Sequence, residues 1–278
     1  MKLKEMQEIQ LNILKSVINF CNENNLKYFA LGGTALGAER HEGVIPWDDD
    51  IDIGMPRDDY EFFCSNIEKY TEKNLKLRNY KTDSSYRYYI SRLMDTNHKI
   101  IETRNEQVEN YTYISIDIFP LDGFPENDLF RKIHISRILY RRALMSLSYF
   151  ETIDTHRKRG IGERLIIMFF SKFPFWKFIN ANSQKQKIDK LLNKYSYQDN
   201  AYIGNIMGAY RNREITPKDW FEPGVMKVFD SIKINCPYNQ DRYLTQLYGD
   251  YMKVPSEEEI IGKKHFIGYI NEEELNND

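Results

Sequence analysis

Two stretches of the chain have hydrophobic positions that recur every three or four residues, the period of an amphipathic helix. The first covers residues 3–25 and the second covers residues 58–70. Between and beyond them, apolar residues come in short runs or alternate with polar ones, which is typical of strands. The first 125 residues are therefore predicted to form a mixed α/β unit.

A glycine pair separates a predicted strand from a predicted helix near the start of this unit. The apolar run Tyr28 to Leu31 stops at Gly32 and Gly33, and Thr34 is a candidate N-cap for a helix over residues 35–41. Glycines let the backbone approach a phosphate closely, and free N–H groups at a helix start favour an anion. Most glycine pairs are simply turns, so this pair indicates a site only in the company of other residues.

Aspartates alternate with isoleucines in the next predicted strand. Asp50 and Asp52 flank Ile51, so both carboxylates are expected on one face, where they repel each other unless a cation or a proton neutralises them. Asp117 lies between two isoleucines of a later strand. Acidic clusters are usually solvated, but unpaired charge on a partly buried strand is costly. The pattern predicts a site for Mg²⁺ or Mn²⁺, which often share carboxylate ligands with substrate phosphates.

The second half of the chain has a different pattern. Further strands are predicted over residues 75–80, 86–94, 99–101 and 112–119, after which long helical periods prevail from 127 to 195. A hairpin over residues 225–234 and a helix over 238–248 complete the prediction. We therefore divide the chain into an α/β unit, residues 1–125, and a mainly helical portion, residues 126–278, that ends in the hairpin and helix.

Residues 161–179 form an apolar segment that follows a basic cluster at residues 156–159. Charged residues and Pro174 interrupt the segment too often for it to span a bilayer. It fits either a buried helix pair or a helix in a membrane interface, and peripheral membrane contact therefore stays open.

Composition narrows the class of partner. The 278 residues include 39 basic and 41 acidic ones, for a net charge of -2, so no basic excess indicates a nucleic-acid partner. The three cysteines lie far apart and match no zinc or disulfide spacing. The N-terminus lacks the apolar run of a signal peptide. These features favour a cytoplasmic location.

Three segments of the chain resemble the LicD family of phosphotransferases. They are LGGTALGAERHEGVIPWDDDIDIG at residues 31–54, SIDIFPLDG at 115–123 and YLTQLYGDYMKVP at 243–255. A glycine turn that opens a helix, an Asp-Ile-Asp strand and a later lone acid form the arrangement of the nucleotidyltransferase superfold. The resemblance implies an α/β (α+β) fold, with a mixed sheet and flanking helices plus a largely helical C-terminal portion. It also implies that residues 1–125 are the catalytic core and that residues 126–278 bind acceptor and donor.

The resemblance also implies an activity. It implies a Mg²⁺-dependent enzyme that moves phosphocholine from CDP-choline to a sugar hydroxyl of a teichoic acid or lipopolysaccharide precursor and releases CMP. Relatives move ribitol phosphate, so another CDP-alcohol donor stays open. The acceptor would be a lipid-linked glycan or an oligosaccharide, at the inner face of the plasma membrane.

The site residues follow from the same motifs. By the resemblance, Asp50, Asp52 and Asp117 would bind the metal and carry catalysis, and the donor phosphates would lie along the glycine turn. The predicted donor site consists of Gly32, Gly33, Thr34, Arg40, Asp48 and Arg92. Of these, Asp48 matches the family motif without a defined role, and the two arginines are candidate phosphate ligands by position; Arg40 could equally offset a helix dipole.

Several alternatives remain beside this interpretation. Nucleotidyl transfer from an NTP would release pyrophosphate, and a degenerate binding module would be expected to have lost an acid, whereas all three are present. His265 matches a histidine of the family's C-terminal region, although lone surface histidines are common. Aromatic faces hold quaternary ammonium groups. The candidate aromatic residues are Trp47, Tyr88, Tyr89, Tyr111, Tyr113 and Trp220.

Overall fold

The computed structural model describes residues 3–102, 110–150, 172, 175–256 and 260. The chain forms two compact units, one made of residues 1–126 and 195–278 and the other of residues 127–194. Residues 195–256 thus fold with the predicted catalytic core. The division of roles at residue 125 stays a prediction. His265 and most of the apolar segment 161–179 lie outside the described residues.

The helices of the described chain follow the predicted amphipathic stretches closely. They are α1 (Leu3–Glu23), α2 (Gly32–Arg40), α3 (Arg57–Tyr70), α4 (Asp128–Leu147), α5 (Ala181–Leu192) and α6 (Gln240–Tyr248). The second unit contains α4 and α5, as the helical pattern over residues 127–195 predicts. No helix within the described ranges has both the length and the apolar character needed to cross a bilayer.

The first unit is built on a mixed sheet. Its strands are β1 (Phe29–Ala30), β2 (Asp52–Pro56), β3 (Leu75–Arg78), β4 (Ser91–Glu102), β5 (Asn110–Phe124), β6 (Tyr202–Gly204) and β7 (Ile215–Pro217). The order is β1-β2-β5-β4-β3, with β6 on β5 and β7 on β6. Only β2 and β5 pair in parallel among these strands. The predicted mixed α/β fold is confirmed.

The remaining strands form the hairpin β8 (Val225–Phe229) and β9 (Ile232–Cys236), which confirms the hairpin expected near the C-terminus. Helix α6 packs against α2, so the C-terminal part of the chain covers the glycine turn. A buried ion pair fixes α3 on the end of β5: Arg57 donates from two nitrogens to the two carboxylate oxygens of Asp122, each at 2.7 Å.

The core lies where the sheet meets α1 and α3. Ile51, Ile53, Ile116 and Ile118 are fully buried, so the residues that alternate with the aspartates provide the apolar face. This alternation forces the intervening acids to the opposite face. Burial of the isoleucines therefore positions the site.

Three local predictions need correction. Thr34 is not the N-cap of α2, because the helix already starts at Gly32 and Leu31 occupies the cap position. The stretches 86–94 and 99–101 are not separate strands. Pairing with β5 makes residues 91–102 one strand, with a register shift between Asp95 and Lys99. Asp50 precedes β2 rather than lying inside it.

Candidate functional site

Gly32 places the backbone of α2 directly beside an acid. Its φ of +47° is in the left-handed region that favours glycine. A Cβ at this position would lie 3.4 Å from Asp52 Oδ2 and 3.6 Å from the hydroxyl of Tyr248. The N–H of Gly32 donates to the hydroxyl oxygen of Tyr243 at 3.0 Å, which ties the turn to α6.

Gly33 brings the same helix start against a second acid. A Cβ on Gly33 would lie only 2.5 Å from Asp48 Oδ2, closer than real side chains approach. The N–H groups of a first helical turn have no partner within the helix. Since these groups favour anions, the glycine-lined helix start and the carboxylates form one polar surface.

Thr34 links α2 to β2. Its Oγ1 accepts a hydrogen bond of 2.8 Å from the N–H of Asp52. This bond fixes the first residue of β2, and with it the carboxylate of Asp52, relative to the helix start. The residue predicted to line the donor phosphates is thus engaged through its side chain with the strand that carries an acid.

Three consecutive aspartates precede β2 and face one another. Asp48, Asp49 and Asp50 each offer one carboxylate oxygen to a group whose atoms all lie within 4.8 Å of one another. Burial, and then the charge of Asp49, raises the pKa of Asp48 to about 6. Burial and the charges of Asp48, Asp117 and Asp49 raise the pKa of Asp50 well above its usual range. The group therefore needs a counter-charge to be ionised together.

Asp52 and Asp117 are register partners on the parallel strands β2 and β5. Burial raises the pKa of Asp52 well above its usual range, with further contributions from the charges of Asp50 and Asp117. Asp117 is thus paired in register with Asp52 and lines one cavity with Asp50, so the structure brings the three acids to one region, as the alternating pattern predicts. Their roles as ligands and catalysts stay predictions.

Arg92 is the cation of this region. It is the register partner of Asp117 across β4 and β5, and its Nε donates to Asp117 Oδ1 at 2.8 Å. Its guanidinium lies 4.7 Å from the centroid of the Tyr88 ring. Arg92 thus orients one oxygen of Asp117 and partly balances the acids. A role as phosphate ligand stays a prediction.

A cavity of about 70 Å³ opens between the acids and α1. Asp49, Asp50, Arg92 and Asp117 line it together with Gln10. The amide of Gln10 donates to the carbonyl oxygens of Asp49 at 2.8 Å and Ser115 at 3.1 Å. This buried glutamine therefore fixes the backbone of the acidic segment against β5.

Other predicted residues lie in different surroundings. Arg40 donates to the carbonyl oxygens of Tyr251 at 2.7 Å and Lys253 at 3.3 Å, so its contacts hold the segment after α6. Its phosphate role stays a prediction that these contacts do not support. The candidate aromatic residues do not converge. Trp47 contacts His41, Tyr89 stacks on Tyr80, Tyr113 lines the cavity and Trp220 lies under Arg242. The side chain of Tyr111 is outside the described part.

Sequence reasoning missed a second layer from the C-terminal part of the chain. The hydroxyl of Tyr248 and Oδ2 of Asp52 both lie near the backbone of Gly32, and the ring of Tyr210 packs on that of Tyr248. Burial, with a smaller contribution from the charge of Glu214, raises the pKa of Asp52, and burial with the charge of Asp52 raises the pKa of Tyr243 and of Tyr248. The two α6 tyrosines belong to the segment 243–255, which carries part of the family resemblance. Glu214 has no local signal, because its position depends on the pairing of β7.

The donor set suits a hard divalent cation. Carboxylates crowded at raised pKa values are the all-oxygen ligands that Mg²⁺ or Mn²⁺ takes. In the described chain, the acids whose carboxylate oxygens lie close enough together to hold one ion are Asp48, Asp49 and Asp50. The predicted metal ligands are Asp50, Asp52 and Asp117, so only Asp50 belongs to both sets. The residues present fit such an ion.

The chain is similar in sequence to a family of nucleotidyltransferase-domain proteins, which agrees with the fold and the acidic site. Residues 25–146 match the family described as LicD/FKTN/FKRP, nucleotidyltransferase domain. The lipopolysaccharide cholinephosphotransferase LicD of Haemophilus influenzae is 29% identical over 260 residues, which cover 92% of this chain and 94% of that protein. An uncharacterized protein of Rickettsia typhi is 29% identical over 130 residues, 46% of this chain and 40% of that one.

Proposed function

Because the chain belongs to the LicD family, we propose that it transfers phosphocholine from CDP-choline to a sugar hydroxyl of a surface-glycan precursor and releases CMP. The name of the Haemophilus influenzae relative supports choline as the headgroup and lipopolysaccharide as the acceptor class. A teichoic acid precursor is the alternative acceptor. A cytoplasmic location, at the inner face of the plasma membrane, is part of the same proposal.

One observation carries the proposal: the glycine-lined start of α2 and the acids around β2 form a single surface. Gly32 and Gly33 each lie against an aspartate carboxylate, Asp52 and Asp48 respectively. Asp50 lines the adjoining cavity together with Asp117. A surface that joins anion-favouring amides to metal-binding acids suits a substrate with a diphosphate and its cation.

The chain's own residues have distinct parts in this proposal. Asp50, with Asp52 and Asp117 or with its neighbours Asp48 and Asp49, would hold a divalent ion, which supplies positive charge beside the donor diphosphate. The first-turn amides of α2 that follow Gly32, whose own N–H donates to Tyr243, would bind a phosphate oxygen. The protein contributes mainly positioning and charge stabilisation, as in phosphoryl transfer generally.

The proposed transfer is a displacement at phosphorus. The acceptor oxygen forms a bond to the phosphorus that bears choline, and the bond from that phosphorus to the bridging oxygen of CMP breaks, with its electron pair leaving on CMP. The proton of the acceptor hydroxyl passes to the carboxylate of Asp117. Arg92 supports this role because it fixes the orientation of that carboxylate through Oδ1.

Asp50→Asn tests the proposal. The full chain is incubated with CDP-choline and a lipopolysaccharide oligosaccharide, with Mg²⁺ or with a chelator, and released CMP is measured. We expect transfer that needs the metal and a loss of at least about a hundredfold in Asp50→Asn, in the range of a lost electrostatic group in an active site. Asp58→Asn, at an exposed acid of α3, is the matched control and should retain activity.

Two further donors separate the alternatives. CDP-ribitol in place of CDP-choline tests another alcohol phosphate, and an NTP with pyrophosphate detection tests nucleotidyl transfer. Undiminished transfer by a folded Asp50→Asn protein, or pyrophosphate release in preference to CMP release, would contradict the proposed function.

A further inference from the structure

Three connected side chains, of which Tyr248 reaches the Gly32 backbone beside Asp52, have no part in the chemistry proposed above. They are Tyr210, Glu214 and Tyr248, here called the tyrosine–glutamate group. The rings of Tyr210 and Tyr248 meet edge to face, with centroids 5.2 Å apart and planes at 79°. The N–H of Tyr210 donates to Glu214 Oε1 at 2.9 Å. The group is thus one connected structure of two aromatic rings and a carboxylate.

The backbone fixes the carboxylate of Glu214 in this group. Glu214 ends the 3₁₀ turn Arg211–Glu214, and β7 begins at the next residue and pairs with β6 of the main sheet. Gly208 provides the space: a Cβ on Gly208 would overlap the carboxylate of Glu214. An acid held by a strand, a backbone donor and a glycine is a built feature rather than a mobile surface side chain.

The group borders the site of the proposed reaction. The hydroxyl of Tyr248 and Oδ2 of Asp52 both lie within 4 Å of one point above Gly32, where a Cβ would stand. Burial chiefly, and the charge of Glu214 in addition, raise the pKa of Asp52, of Tyr210 and of Tyr243. A substrate bound over the glycine turn therefore has the tyrosine–glutamate group as a neighbour.

The negative charge of Glu214 affects which donors can bind at this surface. The proposed donor brings a negative diphosphate to a surface that already contains several aspartates, and another carboxylate repels it. The extra acid favours binding only if the donor also brings a positive charge. Aromatic faces beside a carboxylate suit an organic cation that has no hydrogen-bond donor, such as a quaternary ammonium.

The other rings considered for this role are engaged elsewhere. Arg92 covers Tyr88 at 4.7 Å, and Tyr113 lines the cavity of about 70 Å³ next to α1. Arg213 lies 5.7 Å from the Tyr210 centroid, held by the carbonyl oxygens of Gln246 and Leu247. Tyr248 is therefore the principal aromatic wall, with Tyr210 as its support and Glu214 as the counter-charge.

We propose that the tyrosine–glutamate group receives the quaternary ammonium of the donor and thereby selects choline over neutral alcohols. The inference rests on the proposed function, and it adds the residues that determine headgroup specificity. Choline carries its cation two carbons from the phosphate oxygen, so phosphate over the glycine turn and cation at Glu214 are compatible with neighbouring subsites.

Glu214→Gln tests this assignment, because it removes the charge and keeps the size. Two donors are compared on the full chain: CDP-choline, and the analogue whose alcohol is 3,3-dimethylbutanol, in which carbon replaces the charged nitrogen. The wild type should favour CDP-choline by about tenfold in KM, the scale of a partly desolvated cation contact. Glu214→Gln should remove most of this preference by raising the KM for CDP-choline, whereas the KM for the neutral donor should stay the same or fall, because one charge that repels the diphosphate is gone.

The controls are matched to the change. Glu72→Gln removes an exposed acid at the turn between α3 and β3 and should keep the wild-type preference. Tyr248→Phe keeps the ring and should also keep the preference, whereas Tyr248→Leu should lower it. If Glu214→Gln does not fold, Gly208→Ala displaces the same carboxylate and replaces it in the comparison.

The outcomes separate this inference from the proposed function. Equal KM values of the wild type for the two donors, or equal losses on both donors in Glu214→Gln, would overturn the assignment. If neither donor supports transfer, the proposed function fails. Calorimetric titration of the full chain with phosphocholine and with 3,3-dimethylbutyl phosphate then decides the inference alone. A preference of about tenfold for phosphocholine that Glu214→Gln abolishes would support it, and equal affinities would reject it.

Discussion

At the scale of single residues, the start of α2 owes its properties to missing side chains. Gly32 and Gly33 leave room for the carboxylates of Asp52 and Asp48, so backbone amides and acids share a surface that larger residues would separate. The sequence predicts the roles of these glycines and aspartates, because a glycine pair after an apolar run indicates a turn and alternation with isoleucine places the acids on one face of a strand. It does not predict that of Glu214, since only the pairing of β6 with β7 brings it to the site.

Gly33→Ala tests the close approach to Asp48. In an ordinary helix this change would stabilise by about 0.5–1 kcal/mol. Here the new Cβ would lie 2.5 Å from Asp48 Oδ2, so we expect the free energy of unfolding to fall by about 1–3 kcal/mol, the cost of overpacking.

A double-mutant cycle identifies the cause of that loss. Asp48→Ala removes the atom in conflict, so Gly33→Ala should cost little when made on that background. Denaturant unfolding of the four proteins gives the coupling. Equal costs of Gly33→Ala on both backgrounds would show that the contact with Asp48 is not responsible.

At the scale of elements, periodicity located most helices and strands, and the errors occur where pairing or packing overrides local preference. β4 runs through a stretch interpreted as two strands because β5 provides continuous partners on both sides of the register shift. The short strands β6 and β7 have three residues each, too few to show a period. β6 pairs with residues 122–124 at the end of β5, and β7 pairs with β6. The sequence pattern predicted that this strand ends at residue 119, so the partner of β6 was not predicted.

Helix α4 of the second unit contains a titratable group that makes its stability depend on pH. Burial, with the charges of Lys194 and Arg137, lowers the pKa of His134 to about 4 from the usual 6.5 of a histidine. The folded state thus holds His134 neutral while the unfolded state binds a proton below about pH 6.5. Stability from this group is present above that pH and is lost as the pH falls toward 4.

Hydrogen exchange of the α4 amides measures this effect. Between pH 7 and pH 4.5 we expect the opening free energy of α4 to fall by up to about 3 kcal/mol in the wild type. In His134→Gln, which has no ionisable group at this position, the fall should be much smaller. The same pH dependence in both proteins would assign it to other groups.

At the scale of the whole molecule, the first unit is discontinuous in sequence. The chain leaves it after residue 126 and returns at residue 195. The N–H of Gly123 donates to the carbonyl oxygen of Tyr195 at 3.1 Å, so the points of departure and return are close together. Composition and periodicity indicated a change of character near residue 125 but not this return, because long-range contacts have no local signal.

Two shortened chains test the discontinuity. Replacement of residues 127–194 by a short Gly/Ser linker keeps every strand of the first unit, and we expect cooperative thermal unfolding by circular dichroism. Residues 1–126 alone lack β6, β7 and α6, and we expect no cooperative transition. A cooperative transition of the 1–126 fragment at the same temperature as the linked protein would show that residues 195–256 are dispensable for the core.

The hydrogen bond from Gly32 to Tyr243 has a consequence for biosynthesis. The ribosome releases the glycine turn long before it has made α6, so the turn stays without its tyrosine partner through most of translation. The nascent polypeptide therefore cannot complete the proposed donor site until α6 has been synthesised. A ribosome-bound intermediate that already contains Asp48, Asp50, Asp52 and Asp117 would still lack this part of the site.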